Sequence, residues 1–406
     1  MKKRELYTKQ LSSYIDKPMI KVITGIRRSG KSFLLKLIKE ELISRKIDEN
    51  NIIYINYESL KFEKYRDYSS LYKFVMSKIK NKDNRYYLLI DEIQEVNDWE
   101  KAIRSFTVDI NCDIYITGSN ANLLSGELAT YLSGRYIEFQ LLPLSFHEYI
   151  NFYDIPDEKD KIKEAFENFI KYGGFPGLIH MDRNEETQFK YIDGIYNTII
   201  LKDVIQRNNI RDPELLERIL IFIMGNIGQL FSGKNISGYL TSQGRKTSTK
   251  TIYKFLKSLE DALIIHTAKR YDIKGKKILK RVNKIFLSDL GLRHAILGYR
   301  DMDISQVLEN IIYLELLRRN YKVFVGKKEK NEIDFIAIKN RNKIYIQVSY
   351  LLVSEETIKR EYKPLLNVND NFPKYVLSLD EIPQENKEGI KWMNIIDFLL
   401  DQESLK

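Results

Sequence analysis

The sequence predicts an α/β protein: a parallel-sheet core first, helical segments in the middle, and a second α/β domain at the end. Three observations carry this. Apolar runs such as "YYLLIDEIQ" and "CDIYITGSN" end in polar residues, as buried parallel strands do, and a helical-period segment follows the first strand. From Ser145 to Asn208 the pattern is mostly helical, with a break at "YGGFPG". Near the end, a helix-period segment is followed by three strand-like runs. At 406 residues the chain is too long for one core, so two to four domains are expected.

Hydrophobic residues make up 43%, charged residues 30%, and there are eight prolines, which excludes a largely disordered chain. The single cysteine, Cys112, excludes an intramolecular disulfide and a cysteine-based zinc site. With no apolar region after "MKKRELYTKQ" and no stretch long enough for a bilayer, the expectation is a cytoplasmic protein without a membrane partner. Net charge is +10, which favours a polyanionic partner. Eight of the basic residues fall between Lys269 and Lys284, against one acid, Asp272.

The first element is "MIKVITGIRRSGKSFLLKLIKEEL", a strand, a loop and a helix. Its loop, Gly25, Ile26, Arg27, Arg28, Ser29, Gly30, Lys31 and Ser32, matches the pattern G-x-x-x-x-G-K-[ST] in full. Glycines let backbone N–H groups close around phosphate oxygens, Lys31 reaches the terminal phosphates, and Ser32 can ligate Mg2+. Downstream, Asp91 and Glu92 end an apolar strand, where Asp91 can hold the magnesium through water and Glu92 can polarise the attacking water. Ser119 and Asn120 end the next strand, in the place of a γ-phosphate sensor or of a simple helix N-cap. Arg135 stands between an apparent helix end at Gly134 and a further strand. It reads either as a finger completing a neighbouring subunit's site, which implies a homo-oligomer, or as a solvated surface arginine.

"ITGIRRSGKSFLL", "LLIDEIQ", "ITGSNANLL", "LSGRY", "PLSFHEY" and "YGGFPGLI" together resemble a family of prokaryotic AAA-type ATPases whose C-terminal domain is poorly understood. The resemblance spans nearly the whole chain. It implies a RecA-like P-loop core over 1–144, ATP as the nucleotide, and Lys31, Ser32, Asp91 and Glu92 in the roles just given. Residues 145–208 are then read as a helical lid.

Between 209 and 288, "ELLERILIFIMGNIG", "NISGYLTSQG" and "TSTKTIYKFLKSLEDALII" read as three helices. Two strands joined at Lys274, Gly275, Lys276 and Lys277 follow them, the order of a winged helix. Lys274, Lys276 and Lys277 at the wing, with Lys254 and Lys257 on the third helix, are candidate DNA contacts. The same fold also serves as a protein-contact module, and a charge run is often a solvated face.

Residues 289–406 resemble the restriction-endonuclease-like fold, with Glu309 on a helix and Asp334 in "NEIDFIAI" at its first two acidic places. Gln347, Val348 and Ser349 stand where that fold carries E-x-K. A glutamine oxygen ligates a divalent ion weakly, and a serine supplies no ammonium, so a vestigial, nuclease-inactive site is expected. The expectation is therefore an ATP- and Mg2+-dependent ATPase acting on or near DNA. The competing classes are a nucleotide-gated signalling or scaffold protein and an ATP-driven nuclease.

Overall fold

The structure is a computed structural model that describes residues 2–124, 134–329, 331–382 and 386–405. Two compact units are present, residues 1–143 with 261–263, and residues 144–260 with 264–406.

In the first unit, α1 (Glu5–Ser12) precedes β1 (Ile20–Thr24), α2 (Lys31–Ser44), β2 (Ile52–Asn56), α3 (Tyr68–Lys78), β3 (Tyr86–Asp91), α4 (Trp99–Asp109), β4 (Cys112–Gly118) and β5 (Tyr136–Gln140). The strands pair in parallel in the order β2-β3-β4-β1-β5. Strand residues alternate between two buried faces, which is why β3 is apolar up to Asp91 and β1 is buried throughout, its one lysine, Lys21, paired with Asp113 of β4. Val22, Leu88 and Ile90 join Leu71 and Val75 of α3 and Ile103 and Phe106 of α4 on one face. Ile23, Leu89 and Tyr115 join Leu34 and Ile38 of α2 and Tyr7 and Leu11 of α1 on the other. The helix expected just before Gly134 lies outside the described residues.

The second unit contains an eight-stranded sheet in the order β13-β12-β11-β10-β9-β7-β8-β6. Its strands are β6 (Leu230–Phe231), β7 (Ile265–Asp272), β8 (Lys277–Leu287), β9 (Lys322–Lys328), β10 (Asn331–Lys339), β11 (Asn342–Val348), β12 (Lys374–Ser378) and β13 (Ile390–Asn394). Helices Pro213–Gly225, Gly233–Ser242 and Thr249–Asp261 lead into the β7–β8 hairpin, and β6 pairs with β8. The expected helix and three strands follow, as helix Ile304–Arg318, β9, β10 and β11, and helix Glu355–Leu366 comes after them.

Two features join segments that the sequence reading divides. Arg270–Asp272 of β7 pair in parallel with Val325–Lys327 of β9, so the β7–β8 hairpin and the strands after it make one sheet. The helices expected as a lid share a unit with this sheet. Their glycine loop closes on Asp289, whose Oδ2 accepts the Gly174 N–H at 2.7 Å and whose Oδ1 accepts the Gly291 N–H at 2.8 Å. Lys159 and Lys163, on helix Lys159–Tyr172, pair with Glu381 at 3.1 and 3.0 Å. No described helix is long and apolar enough to cross a membrane.

Candidate active site

The loop from β1 to α2 is shaped by two glycines. Gly30 caps α2 at φ 99°, a left-handed conformation that glycine takes without steric cost. At Gly25 a Cβ would stand 2.4 Å from the Leu141 carbonyl oxygen, so the loop lies flush against the segment leaving β5. α2 then starts at Lys31, and its unpaired N–H groups make the loop a ready anion site. Lys31 is 4% exposed; its Nζ donates to the carbonyls of Gly25 at 3.0 Å and Ile26 at 3.3 Å and lies 3.6 Å from Glu92 Oε1. Of the other loop residues, Ser29 is buried, Arg27 and Ser32 are half-buried, and Arg28 is exposed.

Asp91 and Glu92 stand at the carboxyl end of β3. Glu92 has φ 55° and ψ 50°, a conformation costing about 1–2 kcal/mol for a residue with a Cβ. Two bonds hold it there. Its N–H donates to Thr117 Oγ1 at 2.9 Å, and Gln94 Nε2 donates to its Oε2. The Thr117 hydroxyl in turn donates to Asp91 Oδ1 at 2.5 Å. Burial raises the Asp91 carboxyl above its usual range, and the Ser32 and Thr117 hydroxyls and the Lys31 ammonium oppose that shift. The structure thus brings together Lys31, Ser32, Asp91 and Glu92. Ser119 and Asn120, both buried, follow β4, which lies between β3 and β1, so they belong to the same edge of the sheet. A 3-10 turn, Ala121–Leu124, comes directly after them, so the cap alternative also keeps its place.

Three buried oxygens here have no hydrogen-bond partner among the described residues: Ser29 Oγ, Asp91 Oδ2 and Gln94 Oε1. Each such orphan costs about 1–3 kcal/mol. A triphosphate with Mg2+ supplies what this edge lacks, anionic oxygens for Lys31 and the loop N–H groups and a cation for Asp91, so the residues fit that group.

Four participants escaped the sequence reading. Thr117 and Gln94 position the two acids. Tyr54 on β2 stands beside Asp91, and burial together with that carboxylate pushes its hydroxyl up to about 12. Arg4, 1% exposed, donates to the carbonyls of Ser29 at 3.0 Å, Leu142 at 2.9 Å and Pro143 at 3.4 Å, and lies over the Tyr7 ring. The available signal for Thr117 was its place in "ITGSN"; Arg4 had none.

Arg135 is exposed and precedes β5, its carbonyl accepting the Ile20 N–H at 2.8 Å. Ile20 begins β1 and the phosphate loop follows its far end, so Arg135 lies at the edge of the sheet opposite its own chain's loop.

Of the candidate DNA contacts, Lys254, Lys257, Lys274, Lys276 and Lys277 are exposed, and Lys274 pairs with Glu329 at 3.5 Å. The side chains of Lys280 and Arg281 lie outside those described. Lys284, counted in the same basic run, is buried and turned inward: its Nζ lies 2.8 Å from Glu309 Oε2 and 3.4 Å from Asp334 Oδ1. Gln347 Oε1 accepts the Asp334 N–H at 3.4 Å, whereas the Ser349 hydroxyl turns to the Leu351 carbonyl at 3.4 Å.

A family model described as an AAA domain matches residues 17–150, and one described as a domain of unknown function (DUF8612) matches residues 163–303. A Haemophilus influenzae protein titled as uncharacterised is 40% identical over 397 residues, 98% of each chain. An uncharacterised protein of Methanocaldococcus jannaschii is 33% identical over 382 residues, 89% of this chain and 81% of that one. A Walker-type ATPase of Pyrococcus abyssi superposes with a TM-score of 0.49 at 17% identity, over 73% of this chain and 95% of that one.

Proposed function

The chain belongs to the family of AAA-domain proteins that includes its Haemophilus influenzae relative, and from that premise we propose that it hydrolyses ATP at the β1–α2 loop and works on or near DNA. The observation that carries the first part is the convergence of Lys31, Ser32, Asp91 and Glu92 around buried oxygens that lack partners among the described residues. Lys31 and the N–H groups at the start of α2 bind the phosphates. Ser32 and Asp91 hold Mg2+, which, when bound, neutralises charge on the phosphate oxygens. Glu92 orients the attacking water, and its conformation is fixed by Thr117 and Gln94 so that little reorganisation is needed during turnover. Arg135 serves the neighbouring copy's site. Mixing Arg135→Ala with Lys31→Ala subunits should restore part of the activity, and verified mixed oligomers without recovery would return Arg135 to the surface.

The DNA reading rests on the exposed Lys254, Lys257, Lys276 and Lys277 and on the helix–strand–helix–helix–hairpin order. In this reading residues 209–288 are a winged helix that contacts phosphates without reading sequence, and 289–406 an endonuclease-like scaffold that does not cut. Titrating ATPase rate against duplex and single-stranded DNA tests it: stimulation supports the reading, and a flat response gives the function to the protein-docking alternative. Metal-dependent cleavage by the native chain, abolished by Asp334→Ala, would make it a nuclease.

A further inference from the structure

Lys284 on β8 is 3% exposed, and a lysine is almost never so buried without partners. Its Nζ lies 2.8 Å from Glu309 Oε2, 3.0 Å from Glu332 Oε1 and 3.4 Å from Asp334 Oδ1. These acids come from helix Ile304–Arg318 and from β10. A register shift in β10 between Ile333 and Ile336 sets Asp334 in a bulge, a device that re-aims a side chain. Two neighbouring groups are engaged elsewhere. Asp334 Oδ2 accepts the Val348 N–H at 2.9 Å, and Gln347 Nε2 donates to Glu361 Oε2 at 3.1 Å. Against Glu309, Gly228 comes so close that a Cβ would stand 3.3 Å from Oε2.

We propose that Lys284 is a tethered counter-ion holding the cation position of this carboxylate cluster, so that the native chain excludes a divalent ion there and loss of the ammonium admits one. The lysine nitrogen stands between carboxyl oxygens of Glu309, Glu332 and Asp334, all within 3.4 Å, which is the place a divalent ion would take. Such an ion needs oxygens at about 2.0–2.6 Å, and an ammonium in the middle of the cluster keeps them apart and repels it. The inference is independent of the ATPase reading; it rests on the reading of 289–406 as an endonuclease-like scaffold and adds a residue on β8 to Gln347 and Ser349 as what closes it.

The test is Mn2+ binding by the full chain without nucleotide, read by isothermal titration and by the EPR signal of free Mn2+. An Asp91→Asn background keeps the phosphate loop from contributing. With Lys284 present, no Asp334-dependent binding is expected up to about 1 mM. With Lys284→Met, one Mn2+ per chain should bind at least about tenfold more tightly, and adding Asp334→Asn should abolish it. Asp334-dependent binding by the Lys284 chain, or a folded Lys284→Met chain that binds nothing, overturns the proposal. If Lys284→Met does not fold, Lys284→Met with Glu332→Gln has one carboxylate fewer and is held to the same two outcomes.

Discussion

Thr117 on β4 is bonded to Asp91 on β3 at 2.5 Å, and the same hydroxyl takes the N–H of Glu92 at 2.9 Å. One side chain thus sets both acids. Hydrogen bonds to charged groups are worth about 1.5–3 kcal/mol, or roughly 10- to 100-fold in rate. Thr117→Val should lower phosphate release by that factor while nucleotide affinity changes little, and Thr117→Ser should recover most of it. Full turnover by Thr117→Val would remove the residue from the mechanism.

Lys31 and Glu92 are 3.6 Å apart, and the proposed mechanism gives them separable tasks. Lys31→Ala should lose nucleotide binding. Glu92→Gln should bind and not turn over, because an amide does not accept the water's proton. A fluorescent-nucleotide titration beside a phosphate-release assay separates the two, and equal loss of binding in both variants would contradict the division of roles.

Arg4 closes the phosphate loop from outside. Arg4→Ala leaves the carbonyls of Ser29, Leu142 and Pro143 without this donor, at a cost of about 2–4 kcal/mol and a clear fall in Tm. Because Ser29 is in the loop, nucleotide affinity should fall as well. Arg4→Lys should recover only part, since one ammonium cannot reproduce the guanidinium fork. Unchanged affinity in a folded Arg4→Ala chain would limit Arg4 to stability.

His266, beside the Ser288 hydroxyl at 2.8 Å, is pushed by burial from 6.5 down to about 4, and burial together with Arg293 does the same to His294. Between pH 6.5 and 4 each of these histidines binds more protons in the unfolded chain than in the folded one, so their contribution to stability is intact above pH 6.5 and is lost as pH falls through that window. At about 1.4 kcal/mol per pH unit for each histidine, the upper bound is about 3 kcal/mol apiece. Urea midpoints at pH 7 and 5.5 should differ in the native chain and differ less in a His266→Gln, His294→Gln double variant. An equal difference in both would rule the histidines out.

Lys276 and Lys277 are exposed at the β7–β8 hairpin. Changed together to alanine they should weaken DNA binding, each lost phosphate contact lowering the log–log salt slope by about 0.9. A fluorescence-anisotropy salt series with an unchanged slope would exclude the hairpin from the DNA face.

The phosphate loop and the Asp91–Glu92 strand end were legible in the sequence because their chemistry depends on neighbours in the chain: glycines at fixed offsets, a lysine at a helix start, acids after a buried strand. The apolar runs likewise specified strands buried on both faces. The tertiary structure alone decided the rest. A strand residue points to one of two faces, and which face is buried depends on what covers it, often hundreds of residues away. Lys284 therefore read as one more cation in a basic run, until strand pairing and helix Ile304–Arg318 placed Glu309, Glu332 and Asp334 around it. The β7–β9 pairing that joins the hairpin to the last sheet, and Arg4 reaching Leu142, also bridge long separations. Local pattern carries no signal for such contacts, because the free energy that selects them is gained only when distant segments desolvate one another.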